Sequence, residues 1–242
     1  MDATSLAFKV YIILCFELAV LYGCAFFIIQ QCKKAFYANK TFLGIAFAEA
    51  VNQNRQTDIC IVQSKATTLF FFWLILFAII SIWTAAAFII FSSSFVQFIF
   101  MTLSAIGYGT VIGFIIMDID ENDGMRGLKG ATLTTAAMFV LVSVSGINFA
   151  NPIFVSIIAL SILILILWEL VALVRGISRV AAKIKAVVGI VIFSMSLLAS
   201  ISMVNVSSEQ GLNDWNTAID LAFSMYLDII NIILYFLEAM GS

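Results

Sequence analysis

Long apolar segments alternate with short charged segments along the whole chain. A charged side chain at the centre of a bilayer costs about 2.5 to 3.5 kcal/mol, so the charge-free stretches mark the membrane spans. Each stretch is close to the length of about 20 residues that a spanning helix needs. The pattern therefore predicts an all-α integral membrane protein, a seven-helix transmembrane bundle that forms a single domain over residues 1–242. The predicted spans are 10–32, 68–91, 95–117, 130–147, 152–174, 186–207 and 217–238.

Composition and motifs exclude most other classes of protein. Of the 242 residues, 63% are hydrophobic and 11% are charged, whereas soluble domains are roughly half apolar and a quarter charged. The chain has no histidine and no HExxH, GxSxG or Walker motif, so we expect neither an enzyme nor a bound metal or other cofactor. A net charge of −2 without a basic stripe argues against nucleic-acid binding. The expected partner is the lipid bilayer.

Loop charges predict the orientation, because lysine and arginine collect on the cytoplasmic side. Eleven of the 12 basic residues fall in the first, third and fifth predicted loops, and only Lys9 falls opposite. We therefore expect the N-terminus outside and the C-terminus in the cytoplasm, with residues 33–65 forming a cytoplasmic loop. Within this loop, residues 36–50 suit either a helix on the membrane surface or an ordinary ordered loop.

Three acidic residues, Glu17, Glu169 and Asp228, lie inside the predicted spans beyond the first and last turns. Burying a charge there is costly enough to suggest a function. Glu17 lies about a third of the way into the first span and is either a pathway residue or a structural one. Glu169 lies close enough to the cytoplasmic boundary to reach water. Asp228 is the strongest candidate for an ion-interacting or pH-sensing group.

Polar residues of the last span recur at helical spacing. Their steps average 3.5 residues, so they share one helical face. A helix turns such a stripe away from lipid, which predicts a last helix that is central or lines a cavity. A polar packing seam without permeation is the alternative. The stripe consists of Thr217, Asp220, Ser224, Asp228, Asn231, Tyr235 and Glu238.

Small residues indicate where helices pack closely. Gly109 and Gly113 form a GxxxG motif in the third span, and Gly189 and Ser196 lie on roughly one side of the sixth. Helix packing is their expected role. Ser200, one turn after Ser196, becomes part of the candidate site only if it faces Asp228.

The last span resembles the last segment of the Bax inhibitor-1 family. That family carries a Leu-Tyr-Leu-Asp-hydrophobic-Ile-Asn-hydrophobic run, and this chain reads Met-Tyr-Leu-Asp-Ile-Ile-Asn-Ile over residues 225–232. The start of the chain, residues 8–14, is similar to the family's Val-Tyr opening of its first span. Weaker likeness in residues 109–113, 131–139 and 188–193 extends the resemblance over most of the chain and suggests a divergent member.

The resemblance implies a cytoprotective membrane protein of the calcium-leak type, in which two aspartates form a pH-sensitive latch. Asp228 matches one aspartate, but the position of the other is Ser200 here. Two close carboxylates titrate as a coupled pair, whereas a serine can hydrogen-bond an aspartate without repelling it. We therefore expect the two-aspartate latch to be absent, or displaced onto Glu17 or Glu169.

These observations lead to two functional hypotheses. The first is a pH-modulated calcium or other cation leak, or a membrane-stress regulator, with Asp228 as the ion-interacting carboxylate. Asn231 and Ser224 would be its hydrogen-bonding neighbours and Ser200 its cross-helix partner. The second is a non-conducting scaffold that binds a membrane protein such as a quality-control protease or a secretion complex. The chain lacks the basic C-terminal tail that the resemblance implies for reticulum-resident members, which favours a bacterial inner membrane over the endoplasmic reticulum.

Overall fold

A computed structural model describes residues 4–51, 57–61 and 93–241, together with Ile79, Ile82, Trp83 and Ala86. In this part of the chain, six helices are long and apolar enough to cross a membrane. The helices are α1 (Leu6–Tyr37), α2 (Ser94–Ile119), α3 (Glu121–Ser145), α4 (Pro152–Arg175), α5 (Arg179–Glu209) and α6 (Trp215–Gly241), and the strands are β1 (Phe47–Val51) and β2 (Thr57–Ile61). The chain is thus an all-α, multi-pass integral membrane protein, as predicted. The predicted span 68–91 lies outside the described residues, apart from the four named positions.

The helices extend beyond the apolar spans that predicted them. Residues 121–129 were expected in a charged loop, but α3 begins at Glu121, and a single residue, Asp120, separates it from α2. The Asp120 carboxylate accepts a hydrogen bond from the Asp123 backbone N–H at 3.0 Å. The helices outrun the predicted spans for a physical reason. Charged residues mark the edge of the hydrocarbon region, but backbone hydrogen bonding favours continuing the helix into the interface.

The segment after α1 forms a β-hairpin. Strands β1 and β2 pair antiparallel, with Phe47 opposite Ile61 and Val51 opposite Thr57. The alternative of a surface helix over residues 36–50 was therefore wrong, because only its first two residues are helical, as the end of α1. The peptide groups of residues 47–50 instead pair with β2, so these residues alternate between two faces as a strand requires.

The described residues fall into two compact units. In the unit formed by residues 15–125, α1 packs against α2 through the GxxxG motif. A Cβ added to Gly113 would lie 2.9 Å from the Ala25 carbonyl oxygen, and one added to Gly109 would overlap the Leu21 carbonyl. Lys33 pairs with Glu121 at 2.6 Å in the same unit. Glycine at these two positions allows the backbones to approach closely.

The other unit contains the residues up to Leu14 and those from Arg126 onward. Within it, α6 contacts α3, α4 and α5. The Phe236 ring of α6 lies against Gly130 of α3, and the Tyr235 ring lies 2.7 Å from where a Gly189 Cβ on α5 would be. The Tyr235 hydroxyl donates to Glu169 of α4 at 3.1 Å. Within this unit, the last helix has neighbours on several sides, and part of its polar stripe has protein against it.

A candidate ion site on the last helix

A capping aspartate precedes α6, the helix that carries the polar stripe. The Asp214 carboxylate accepts hydrogen bonds from the Thr217 backbone N–H at 2.9 Å and the Thr217 hydroxyl at 2.7 Å. An aspartate at this position satisfies an N–H group that has no partner within the helix. The same bonds, the backbone bond first, hold the pKa of the Asp214 carboxyl below its ordinary value.

Asp228 lies near the middle of α6, facing α5. It is 6% exposed, and its Oδ2 accepts a hydrogen bond from the Ser200 hydroxyl at 2.8 Å. The Ser196 side chain, one turn earlier on α5, lies beside this carboxylate as well. The structure therefore brings Ser196, Ser200 and Asp228 together. Ser196, which was expected only to support helix packing, contacts the candidate site itself.

A line of polar residues leads along α6 from its exposed beginning to Asp228. Asp220 and Ser224, two turns and one turn before Asp228, are both exposed. The Ser224 and Ser200 hydroxyls are 3.1 Å apart. We call Asp220, Ser224, Ser200 and Asp228 the polar seam. It runs from the protein surface to a buried carboxylate within about 12 Å, at 1.5 Å per helical residue.

The polar stripe ends in a buried ion cluster near the C-terminal end of α6. The Lys185 ammonium lies 2.7 Å from Glu169 and 2.7 Å from Glu238. It thereby joins α4, α5 and α6. The lysine side chain is 5% exposed, whereas the glutamates are 41% and 30% exposed. We call Lys185, Glu169 and Glu238 the ion cluster.

An aromatic ring separates the polar seam from the ion cluster. Tyr235 stacks on Phe193 of α5 with ring centroids 5.8 Å apart. Its ring also lies against Gly189, where any larger side chain would collide with it. Between Asp228 and the ion cluster, the interface of α5 with α6 is therefore packed with aromatic and small residues.

Other predicted site residues occupy different environments. Asn231 donates its amide hydrogen to the Leu227 carbonyl of its own helix at 2.8 Å, and Ser224 contacts Ser200 and not Asp228 directly. Glu169 belongs to the ion cluster. Glu17 lies in the other compact unit, buried, with its Oε1 2.7 Å from the Thr102 hydroxyl oxygen.

Sequence reasoning missed two buried lysines. Lys185 was assigned to a cytoplasmic loop because it follows other basic residues, yet it lies two turns into α5. Lys9 is also buried, with its ammonium 2.8 Å from the Asn213 carbonyl and 5.1 Å from the centre of the Trp215 ring. The burial of Lys185 could have been recognised from helical spacing. Gly189 and Ser196 follow it by 4 and 11 residues, on the same side of the helix.

The chemistry of the polar seam suits a passing cation better than a resident one. Calcium in proteins takes about 6 to 8 oxygen ligands, and the seam brings one buried carboxylate together with two serine hydroxyls. In the described part of the chain, no three carboxylate, cysteine or histidine groups converge as a metal site would require. Asp228 could attract a cation without binding it tightly.

No protein-family model matches this chain, and no curated protein matches it either. The functional assignment therefore depends on the site itself, on a buried carboxylate held by serines at the end of a polar seam.

Proposed function

We propose that the protein is a Bax inhibitor-1-like leak for calcium or another cation, in which Asp228 is the ion-interacting carboxylate. The observation that carries this proposal is the polar seam. It joins exposed Asp220 and Ser224 to the buried Asp228, which has serine hydroxyls but no cation beside it in the contacts described above. A carboxylate in the membrane interior is costly, and such residues usually mark ion or proton pathways.

The aromatic packing beyond Asp228 supports a closed state of this pathway. The Tyr235 ring, with Phe193 and Gly189, fills the interface of α5 with α6 before the ion cluster. Opening would require Tyr235 to leave Gly189. Because the chain has no histidine, any pH modulation of the leak would come from carboxylates. Stress protection would follow from controlled ion release.

The proposed topology has seven spans, with the N-terminus outside and the C-terminus in the cytoplasm. The positive-inside distribution of lysine and arginine supports this orientation. The segment 68–91 would supply the seventh span. In this arrangement the polar seam opens toward the outside and the ion cluster lies on the cytoplasmic side. A bacterial inner membrane is the proposed location.

The test is calcium uptake by proteoliposomes that contain the purified protein and an internal calcium-sensitive dye. Wild type and Asp228→Asn are compared at about pH 6 and about pH 8, a range in which ordinary carboxyls remain ionised. Glu209→Gln removes an exposed carboxylate at the end of α5 and is the matched control.

We expect wild type and Glu209→Gln to take up calcium, and Asp228→Asn to fall to the level of empty liposomes. Uptake by wild type that differs between the two pH values would support carboxylate control. Equal uptake by wild type and Asp228→Asn would reject Asp228 as the pathway residue.

A non-conducting scaffold is the second candidate function. The observation that favours it is the exposure of α4. Only 11% of its apolar stretch is buried, so this helix offers a long surface to lipid or to a membrane-protein partner. A quality-control protease or a secretion complex would suit this role. No calcium uptake by wild type at either pH would reject the leak and favour the scaffold.

A further inference from the structure

A buried acid with no countercharge lies in the unit formed by residues 15–125. Glu17 of α1 is fully buried, with 0% of its surface exposed. Its Oε1 lies 2.7 Å from the Thr102 hydroxyl of α2, and its Oε2 has no hydrogen-bond partner among the described residues. This environment differs from that of Asp228, which two serine hydroxyls contact.

The charged groups near Glu17 along the chain have other partners. Lys9 donates to the Asn213 carbonyl, and Lys33 pairs with Glu121. Residues 66–117, which include most of α2, contain no charged side chain, and their one titratable group is Tyr108. On α1 itself, the titratable groups nearest to Glu17 are Cys15 and Tyr22. None of these neighbours provides a positive charge to balance an ionised Glu17.

The Thr102 hydroxyl lies within hydrogen-bond distance of two oxygen atoms. Its hydroxyl oxygen lies 2.7 Å from Glu17 Oε1 and 3.0 Å from the Phe98 carbonyl oxygen of its own helix. A hydroxyl has one hydrogen to donate and lone pairs with which to accept. If Thr102 donates to Phe98, the bond to Glu17 requires a hydrogen from the acid. A buried acid without a countercharge takes up a proton in preference to remaining an isolated charge.

We propose that Glu17 is a proton-binding site: a neutral carboxylic acid that donates through Oε1 to Thr102, which donates in turn to the Phe98 carbonyl. The ligand is a proton, and the site is built from Glu17, Thr102 and one backbone carbonyl. The unpartnered Oε2 is then the carbonyl oxygen of the acid, which is less costly to bury than a carboxylate oxygen. The assignment does not depend on the ion pathway proposed for Asp228.

Infrared difference spectroscopy of the full chain in liposomes tests this assignment. The spectrum of Glu17→Gln is subtracted from that of wild type in neutral buffer, in H₂O and in D₂O. We expect the difference to contain the C=O stretch of a protonated carboxylic acid, shifted to lower wavenumber in D₂O. Asp228→Asn should retain this band, which separates the site from the proposed pathway. A difference that contains carboxylate bands alone would overturn the proposal.

Variants of Thr102 keep Glu17 in place and test the hydrogen-bond chain directly. Thr102→Val removes the acceptor for the acid proton, so the C=O band should move to higher wavenumber. Thr102→Ser keeps the hydroxyl and should leave the band at its wild-type position. An unchanged band in Thr102→Val would show that the acid does not donate to Thr102 and would overturn the arrangement. This arm is informative even if Glu17→Gln fails to fold.

Discussion

The polar seam and the ion cluster lie on the same helix but balance charge in opposite ways. Asp228 and Glu238 are ten residues apart on α6, about 15 Å along the axis. In the ion cluster, one buried lysine lies between two partly exposed glutamates. In the polar seam, a buried aspartate has serine hydroxyls for neighbours.

This difference separates a structural role from a functional one. A lysine held by carboxylates from two other helices joins α4, α5 and α6, and it has little capacity left to bind anything else. The Asp228 carboxyl has neutral hydroxyls beside it, so in the contacts described above no lysine or arginine competes with a cation for it. We therefore expect the ion cluster to stabilise the fold, and under the proposed function Asp228 interacts with the ion. The following predictions test that division in order of expected effect.

Removing the lysine should have the largest effect on stability. Lys185→Met removes two charge-assisted hydrogen bonds and leaves two neighbouring carboxylates. Water can still solvate these partly exposed carboxylates, which limits the expected loss in the free energy of unfolding to about 3 kcal/mol. Chemical denaturation in detergent micelles measures it. Lys183→Met, an exposed lysine two residues earlier, is the control and should change stability by less than about 0.5 kcal/mol. Equal losses in both variants would show that the cluster does not stabilise the fold.

Filling the space beside Tyr235 should disturb the boundary between the two regions. In Gly189→Ala the new Cβ would lie 2.7 Å from the Tyr235 ring, so we expect a loss of about 2 kcal/mol from overpacking. Gly23→Ala is the control, since Gly23 on α1 has open space around it. That variant should be neutral or stabilised by up to about 1 kcal/mol. Thermal unfolding distinguishes the two variants. An unfolding temperature of Gly189→Ala equal to that of wild type would mean that Tyr235 moves aside freely.

Removing a seam hydroxyl should cost less than either change. Ser200→Ala deletes the 2.8 Å hydrogen bond to Asp228, worth about 1.5 kcal/mol for a charged acceptor. Ser194→Ala is its matched control on the same helix, because the buried Ser194 hydroxyl has no hydrogen-bond partner among the described residues. We expect chemical denaturation to give Ser194→Ala the same free energy of unfolding as wild type. A neutral Ser200→Ala would mean that the serine does not hold the carboxylate.

The smallest predicted effect depends on pH and lies at the start of α6. Asp214→Ala removes the helix cap and should cost about 1 kcal/mol. Hydrogen bonds from Thr217 hold the pKa of Asp214 below its ordinary value, so its contribution is complete above about pH 4. It is lost as the pH falls further and the carboxyl is protonated. Unfolding measured from neutral to acidic pH should show wild type and Asp214→Ala converging below about pH 4. A constant difference would contradict the capping role.

The sequence predicted the existence of the described helices but not their ends. Charged residues mark the limits of the hydrocarbon region, so the apolar runs located the six described helices. They could not show that α3 begins at Glu121 or α5 at Arg179, because helical hydrogen bonding continues beyond the apolar run. The β-hairpin was missed because strand pairing depends on two segments together, and neither β1 nor β2 is long enough to be recognised alone.

The candidate site was partly predictable for a related reason. Periodicity placed Asp228 and Ser224 on one face of α6, since helical spacing is a property of a single segment. The contact of Ser200 with Asp228 depends on how α5 packs against α6, and the sequence could state it only as a condition. Lys185 was missed because a lysine near a span boundary ordinarily reaches water, and its burial requires both glutamates from other helices.

The most direct test of the central claim is whether water reaches the polar seam. A single cysteine at Ser224, in a variant without the native cysteines, is treated in liposomes with a membrane-impermeant cationic thiol reagent. Controls are cysteines at Leu160, an exposed position in the middle of apolar α4, and at Glu209, at the exposed end of α5. We expect the cysteines at Ser224 and Glu209 to react and the one at Leu160 to remain unmodified. A Ser224 cysteine as unreactive as that at Leu160 would contradict an ion pathway through Asp228.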